Sequence, residues 1–164
     1  MDYAAARISY VVGAAPEALV TRLHIVAVTE RAEVVVCRSA EGERFLPGGR
    51  REPGESLLEL ARRELVEEAG AALSGTLLHF SSHRADSERN EPYRSHFPHP
   101  RTYWGYAVGH VRVAGTPSNP PDGENVVEVL ALPPVQAADY LAKNDPLHAD
   151  VLRHADALGL IHRL

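Results

Sequence analysis

The sequence has 164 residues, of which 45% are hydrophobic and 24% are charged, and its formal net charge is −5. These proportions exclude a fibrous or disordered chain, and the length predicts one globular domain over residues 1–164 with a core that needs no disulfide. The net negative charge argues against a nucleic-acid-binding protein, because such binding depends on Lys and Arg neutralising phosphates.

The single cysteine and the length of the apolar runs indicate in which cellular compartment the protein is expected. Cys37 is the only cysteine, so an internal disulfide is excluded and a reducing compartment is favoured. Asp2 stands where a signal peptide would carry positive charge, and no run approaches the ~20 apolar residues of a membrane span. We therefore expect a cytoplasmic protein without a membrane partner.

In chain order, the first predicted elements are two strands. Short β-branched runs at 23–29 and 33–37 predict a hairpin that turns near Arg31 and Ala32. Pro47, Gly48 and Gly49 follow, and paired glycines indicate a turn or the close approach of another group.

The clearest element is a helix over 56–69. Ser56 and Glu59 have the spacing of a capping box, and Gly70 is a typical end. Its apolar stripe is expected to pack against a sheet, and it consists of Leu58, Ala61, Leu65 and Ala69.

The second half of the chain predicts three strands and two helices. The strands are at 76–82, 102–113 and 126–132, separated by a polar segment at 84–101 and a Pro-rich turn at 117–123, and the helices are at 134–142 and 146–158. This order predicts a mixed sheet with packed helices, which fits an α/β or an α+β fold.

The charged face of the 56–69 helix carries the chemistry. Glu64, Glu67 and Glu68 stand at i, i+3 and i+4, so they share one helix face, where hard oxygen ligands suit Mg²⁺ or Mn²⁺. Arg63 lies beside them, and a salt bridge from Arg63 to Glu55 would tie the preceding loop to the helix. The alternative for such a face is a set of solvated charges without a ligand.

The whole stretch from Gly49 to Ala71 resembles the Nudix box, Gly-x5-Glu-x7-Arg-Glu-U-x-Glu-Glu-x-Gly-U, in which U is a bulky apolar residue. The matching positions are Gly49, Glu55, Arg63, Glu64, Leu65, Glu67, Glu68 and Gly70. Ala71 departs from the pattern because it is small, at a position that supports packing.

The resemblance to the Nudix hydrolase family implies an α/β/α sandwich: a mixed sheet with the box helix packed on it and helices near the C-terminus. It implies a pyrophosphohydrolase with Mg²⁺ or Mn²⁺ held by Glu64, Glu67, Glu68 and the Gly49 carbonyl. The expected substrate is a small, nucleotide-like diphosphate that water attacks at phosphorus. Glu64 is the expected general base, and Glu124, in a later loop, is the second candidate.

Substrate selection is expected to depend on the polar 84–101 segment, which mixes cations with rings suited to phosphate binding and stacking. The candidate binding residues are Arg101, Arg84, Arg94, Tyr93 and His96. A mobile, merely solvated loop is the alternative. The family's subgroup markers for diadenosine polyphosphates and ADP-ribose are missing at 86–89, so the subgroup stays unassigned.

Two other functions are compatible with the same fold. One is a nucleotide-ligand sensor without turnover, which the full set of box carboxylates disfavours. The other is isomerisation of a prenyl diphosphate, which would need a nucleophilic cysteine, whereas Cys37 lies in a predicted core strand. Association as a homodimer is left open.

Overall fold

The computed structural model describes residues 2–3 and 5–162. Its strands are β1 (Asp2–Tyr3), β2 (Ala6–Val12), β3 (Val20–Val28), β4 (Val34–Ser39), β5 (Arg44–Phe45), β6 (Gly48–Arg50), β7 (Ala71–Ser87), β8 (Arg101–Val113) and β9 (Val126–Leu132). Its helices are α1 (Leu57–Glu64), which continues into a π-helical turn (Leu65–Ala69), then α2 (Pro134–Ala142) and α3 (Pro146–Ala157), with a short 3₁₀ turn at Glu17–Leu19.

All of these strands belong to one mixed sheet. Its order is β1-β2-β7-β8-β3-β4-β5, with β6 paired to β3 and β9 paired to β4. The pair β3–β8 is parallel and the other pairs are antiparallel. Because β6 pairs with the first half of β3, the glycine pair at 48–49 lies directly beside the centre of the sheet.

Both faces of the sheet are covered, so the predicted α/β/α sandwich is confirmed. Successive residues of β3 alternate between two cores, as the two-residue period of a strand requires. Ile25 and Ala27 pack with α1 and its π-helical turn, whereas Val26 and Val28 pack with α2 and α3. A central strand that is buried on both faces has a continuous apolar sequence. The apolar 23–29 stretch therefore predicted a strand clearly.

The capping box of α1 is confirmed. The Ser56 hydroxyl accepts from the Glu59 N–H at 3.1 Å, and the Glu59 carboxylate accepts from the Ser56 N–H at 3.1 Å. Gly70 ends the helix with φ of 60°, in the left-handed region that favours glycine.

The predicted apolar stripe of this helix was wrong at one residue. Leu58 is 38% exposed, whereas Leu57, Leu60 and Ala61 are buried. Ala61, Leu65 and Ala69 are buried as predicted, so the buried face is wider than the predicted stripe and extends towards Leu57 and Leu60. The wider face has a consequence for the chemistry, because Glu64 and Glu68 also fall on the buried side.

Most of the other predicted elements agree with the structure, which adds several strands and lengthens one. The hairpin forms, with Val28 opposite Val34 and a positive φ at Ala32, and β9 and α2 match their predicted bounds. The structure adds β2, whose mixed polar sequence carried no clear strand pattern, and the short strands β1, β5 and β6, and it extends the predicted 76–82 strand to Ala71–Ser87. The predicted 84–101 loop is thus shortened to 88–100 by pairing between the ends of β7 and β8. Within the described ranges, no helix has the length and apolar character that crossing a lipid bilayer requires.

A group of buried histidines lies between the sheet and α3. The rings of His24 and His148 are 4.5 Å apart, and His83 Nδ1 is 2.7 Å from the Tyr106 hydroxyl. Burial lowers the pKa of His148 and of His83. Asp145, whose carboxylate lies 3.2 Å from His148 Nδ1, opposes this shift, whereas Arg22 and His83 add to it.

We expect acid to destabilise the fold through these histidines. A folded-state pKa below the ordinary value of 6.5 means that, below pH 6.5, the unfolded chain binds protons that the folded chain does not. Each such histidine then removes at most about 1.4 kcal/mol from the free energy of unfolding per pH unit. Urea unfolding at pH 7.5 and pH 5.5 measures this loss.

The matched variants are His148→Gln and His99→Gln. His148→Gln should reduce the loss between the two pH values, whereas His99→Gln, at an exposed position, should leave it unchanged. An equal pH dependence in wild type and His148→Gln would contradict the assignment.

Candidate active site

The three carboxylates predicted to form a metal platform lie together at the end of α1 and in its π-helical turn. Glu64 and Glu68 are each only 6% exposed, and the Glu67 side chain is 24% exposed. The π-helical turn was not predicted, since sequence spacing does not distinguish it from an α-helix. Such turns are frequent at functional sites.

Arg63 joins the box loop to this platform, as the spacing predicted. Its Nε and Nη2 donate to the two oxygens of Glu55 at 2.7 and 2.9 Å, a two-pronged pairing that fixes the orientation of both groups. Its Nη1 lies 3.2 Å from Glu64 Oε1 and 3.5 Å from Glu67 Oε2. One guanidinium thus positions three carboxylates.

Gly48 and Gly49 are needed because other groups approach them closely. A Cβ on Gly49 would overlap the Glu64 carboxylate, and a Cβ on Gly48 would overlap the Leu23 carbonyl of the paired strand. The predicted close approach at the glycine pair is therefore present. It places the backbone of β6 against the carboxylate of Glu64.

The carboxylates of the platform outnumber the positive charge beside them. Burial raises the pKa of Glu68, and the hydrogen-bonding contact and negative charge of Glu64 raise it further. Burial and the charge of Glu64 likewise raise the pKa of Glu67. Burial also raises the pKa of Glu55, but the hydrogen bonds from Arg63 outweigh it and hold that pKa below its usual range. The single Arg63 guanidinium does not compensate the whole group.

The donor set fits a hard divalent cation. Glu68 Oε2 is fully enclosed and has no hydrogen-bond donor among the described residues, although Glu64 lies beside it. A buried carboxylate oxygen in that position needs either a proton or a cation. Within residues 2–3 and 5–162, no three His, Cys, Asp or Glu side chains are already arranged to hold a metal ion, and Arg63 contacts both Glu64 and Glu67.

The later loop with the second base candidate is fastened to the same helix end. The Asn119 N–H donates to the Glu67 carbonyl at 3.2 Å, and the Asn119 side chain bonds to both backbone groups of Val126. Glu124 is exposed, yet its charge contributes to the raised pKa of Glu68. The loop therefore brings Glu124 into electrostatic range of the platform.

Three of the predicted substrate-binding residues, Tyr93, Arg94 and His96, lie in the loop beside the box. The Tyr93 hydroxyl is 3.5 Å from Arg50 Nη2, and the guanidinium groups of Arg50 and Arg94 are 5.3 and 5.6 Å from the centre of the Tyr93 ring. His96 Nε2 is 3.4 Å from the Arg51 carbonyl. The segment 96–98 lines a cleft of about 330 Å³ together with residues 51–56 of the box loop.

Arg84 and Arg101 form a separate group around Asp86. Arg101 Nε lies 2.7 Å from Asp86 Oδ1, and Arg84 Nε lies 3.4 Å from Asp86 Oδ2. Arg84 lies in β7 and Arg101 at the start of β8, and β3 separates β8 from β6, so the structure does not bring these two arginines to the platform.

Arg51 is a supporting residue that the sequence did not single out. Its guanidinium donates to the carbonyls of Glu55, Glu17 and Val20, at 2.5, 2.6 and 3.2 Å. These bonds fasten the box loop to the start of β3. A single sequence carries no signal for such a role, because the carbonyl acceptors belong to backbone that is distant along the chain.

Fold and site together define an α/β/α protein whose central feature is an acidic helix face braced by an arginine–glutamate pair. The family model described as NUDIX domain matches residues 20–155. The chain belongs to the Nudix hydrolase family, and the expectation of a Nudix-type pyrophosphohydrolase is confirmed at the level of the family.

Solved structures agree with this fold. A pyrophosphohydrolase from Bacillus subtilis, BsRppH (E68A mutant), is 14% identical with a TM-score of 0.66, covering 98% of this chain and 97% of its own. A MutT protein from Methanosarcina mazei Go1 is 19% identical with a TM-score of 0.55, covering 85% of this chain and 94% of its own. A search among curated proteins found no match.

Proposed function

We propose that the protein hydrolyses a diphosphate linkage in a nucleoside-diphosphate-linked or similar small substrate, with Mg²⁺ or Mn²⁺ as cofactor. The observation that carries the proposal is the enclosed, uncompensated pair of carboxylates, Glu64 and Glu68, beside Glu67. Family membership supports the bond type. The oxygen-only donor set supports the class of metal.

In this proposal, Glu64, Glu67, Glu68 and the Gly49 carbonyl hold the metal. The bound cation would neutralise charge on the phosphate oxygens and lower the pKa of the attacking water. Glu67 would have to exchange its contact with Arg63 for the cation, and at 3.5 Å that contact is long. The close approach of Gly49 to Glu64 would place the backbone carbonyl and the carboxylate on one centre.

The remaining tasks in this proposal are to hold the box loop in position and to accept a proton from the attacking water. Glu55 and Arg63 do not need to touch the substrate, since their two short hydrogen bonds hold the box loop in place. Glu64 would accept the proton from water, and Glu124 is the second candidate for this step. The substrate would be bound by Tyr93, His96 and Arg94 of the 88–100 loop. Arg84, near the end of β7, and Arg101, at the start of β8, would also bind it.

An activity panel tests the function. Purified protein would be incubated with Mg²⁺ or Mn²⁺ and nucleoside triphosphates, dinucleotides, nucleotide sugars or ADP-ribose, and products would be identified by mass. We expect metal-dependent cleavage between two phosphorus atoms in at least one class, abolished by a chelator. Binding without turnover across the whole panel would instead identify a sensor.

Arg101→Ala tests the role of the group around Asp86. If Arg101 binds ground-state phosphate, the substitution should raise KM several-fold and change kcat less. Arg112→Gln is the control, because Arg112 is an exposed arginine near the other end of β8. An unchanged KM for every active substrate would show that Arg101 pairs with Asp86 and does not bind substrate.

A further inference from the structure

The start of α1 receives one of its caps from outside the box. The first N–H groups of an α-helix have no partner within the helix. The capping box serves Ser56 and Glu59. The N–H of Leu57, which comes between them, donates to Glu17 Oε1 at 3.1 Å, although Glu17 precedes it by 40 residues. A carboxylate at this place also interacts favourably with the positive end of the helix dipole.

Arg51 fastens Glu17 to the box loop. Its Nη1 donates to the Glu17 carbonyl at 2.6 Å, and its Nη2 lies 3.7 Å from the Glu17 carboxylate. Its Nε donates to the Glu55 carbonyl at 2.5 Å. The Arg51 side chain is only 21% exposed, so these bonds are largely shielded from water. Glu17 and Arg51 are here called the anchor pair.

Glu55 connects the anchor pair to the acidic platform, because it is held at both ends. Its carbonyl accepts from Arg51, and its carboxylate accepts from Arg63 at 2.7 and 2.9 Å. Arg63 in turn lies 3.2 Å from the Glu64 carboxylate and 3.5 Å from that of Glu67. Direct contacts therefore lead without a gap from the anchor pair to the platform.

The box loop depends on such contacts for its position. Residues 51–56 form neither helix nor strand, and Gly54 has a positive φ of 76°, so little of this loop is fixed by regular backbone hydrogen bonds. Mg²⁺ tolerates only small departures from octahedral geometry. A displacement of about 1 Å that begins far from the reacting atoms can cost about 10²-fold in rate. A shift of Glu55 would reach the platform through Arg63.

We propose that Glu17 and Arg51 are positioning residues for the metal platform, because they hold the backbone of Glu55 where its carboxylate orients Arg63. This inference rests on the proposed function, since it concerns the metal site of that function. The box motif includes neither residue: Glu17 lies outside it, and Arg51 occupies a position where the motif specifies no residue type. Loss of the anchor pair should therefore affect metal binding and kcat more than KM.

Mn²⁺ binding tests the inference without an activity assay. Free Mn²⁺ would be measured by electron paramagnetic resonance in a titration of the purified protein. Arg51→Met keeps the aliphatic stem but removes the donors to three carbonyls, and it should weaken Mn²⁺ binding about tenfold, as is typical when a group that orients a metal ligand is lost. Arg112→Met, at an exposed position near the end of β8, is the control and should bind as wild type does.

Two variants of Glu17 provide a second, milder test. Glu17→Ala removes the acceptor of the Leu57 N–H and should also weaken Mn²⁺ binding, whereas Glu17→Gln keeps an acceptor oxygen and should recover most of the affinity. The Glu17 side chain is 57% exposed, so these variants carry the test if Arg51→Met does not fold. Wild-type Mn²⁺ affinity in Glu17→Ala would overturn the positioning role of Glu17.

Thermal unfolding and kinetics separate positioning from a purely structural role. With an active substrate and saturating metal, Arg51→Met should lower kcat about tenfold and change KM by less than about threefold. In Glu55→Gln protein, the same substitution should cost less than about threefold more, because both changes interrupt one series of contacts. A lower Tm with unchanged Mn²⁺ affinity and kcat would overturn the inference, and so would a raised KM with unchanged kcat.

The same measurements distinguish this inference from the proposed function. Weaker Mn²⁺ binding in Arg51→Met and Glu17→Ala, without hydrolysis of any substrate by wild type, would overturn the function and support the positioning role. Metal-dependent hydrolysis by wild type, with wild-type Mn²⁺ affinity and kcat in both variants, would overturn the positioning role and leave the function intact.

Discussion

Replacing Glu64 by glutamine should abolish most turnover and raise the metal concentration needed for half-maximal activity. Glu64 is buried, touches the enclosed Glu68, and is held at 3.2 Å from Arg63 Nη1, so it serves the proposed metal site and the proposed proton transfer together. Losing a general base alone costs typically ~10²–10⁴-fold in rate. Losing a ligand as well weakens metal binding. Steady-state rates across a Mg²⁺ titration measure both effects.

Glu124→Gln is the matched comparison for this prediction. Glu124 is exposed and reaches the platform only through its charge, so we expect its loss to lower kcat by less than about tenfold. Burial and the charges of Glu43 and Glu41 raise the pKa of Glu124, which keeps it a reasonable second base. If Glu124→Gln is as damaging as Glu64→Gln while metal affinity is intact, the base lies in the later loop.

Glu68→Gln and Glu67→Gln should each lower activity by orders of magnitude with little change in folding. The amide keeps the shape of the carboxylate but removes the charge that would hold the cation. At Glu68, the substitution also relieves the contact between two buried carboxylates, so the free energy of unfolding without metal should stay the same or increase. Glu67 is more exposed, and its substitution should leave that free energy nearly unchanged.

The measurements for this pair are kcat/KM at saturating and at low metal, and thermal unfolding without metal. Glu30→Gln, in the exposed turn between β3 and β4, is the control and should behave as wild type in all of them. Near wild-type rates of the Glu67 and Glu68 variants at low metal and saturating substrate would rule out a metal platform on this helix. A sharp loss of stability in Glu68→Gln would instead assign that residue a structural role.

Several features could be predicted from the sequence because they depend on neighbours along the chain. The capping box at Ser56 and Glu59, the helix end at Gly70 and the Arg63–Glu55 pair all join residues within eight positions of one another. The continuous apolar run of β3 likewise identified a buried central strand. Local hydrogen bonding and side-chain periodicity carry this information without reference to the rest of the fold.

Other features were decided only when distant strands met. Sequence spacing put Glu64, Glu67 and Glu68 on one helix face, but packing against the sheet buried Glu64 and Glu68 and left Leu58 exposed. The 84–101 loop was predicted as one polar segment, but pairing of β7 with β8 took its two ends into the sheet.

The sequence by itself determined the box and its caps, and it predicted the metal ligands, because each depends on residue types at fixed local spacing. Tertiary structure alone decided the pairing of β6 with β3, which sets Gly49 against the Glu64 carboxylate. It also decided the enclosure of Glu68 Oε2, which depends on the glycine backbone of β6 and on the orientation of the helix. Register and packing angle are set by the whole core, so no local pattern specifies them.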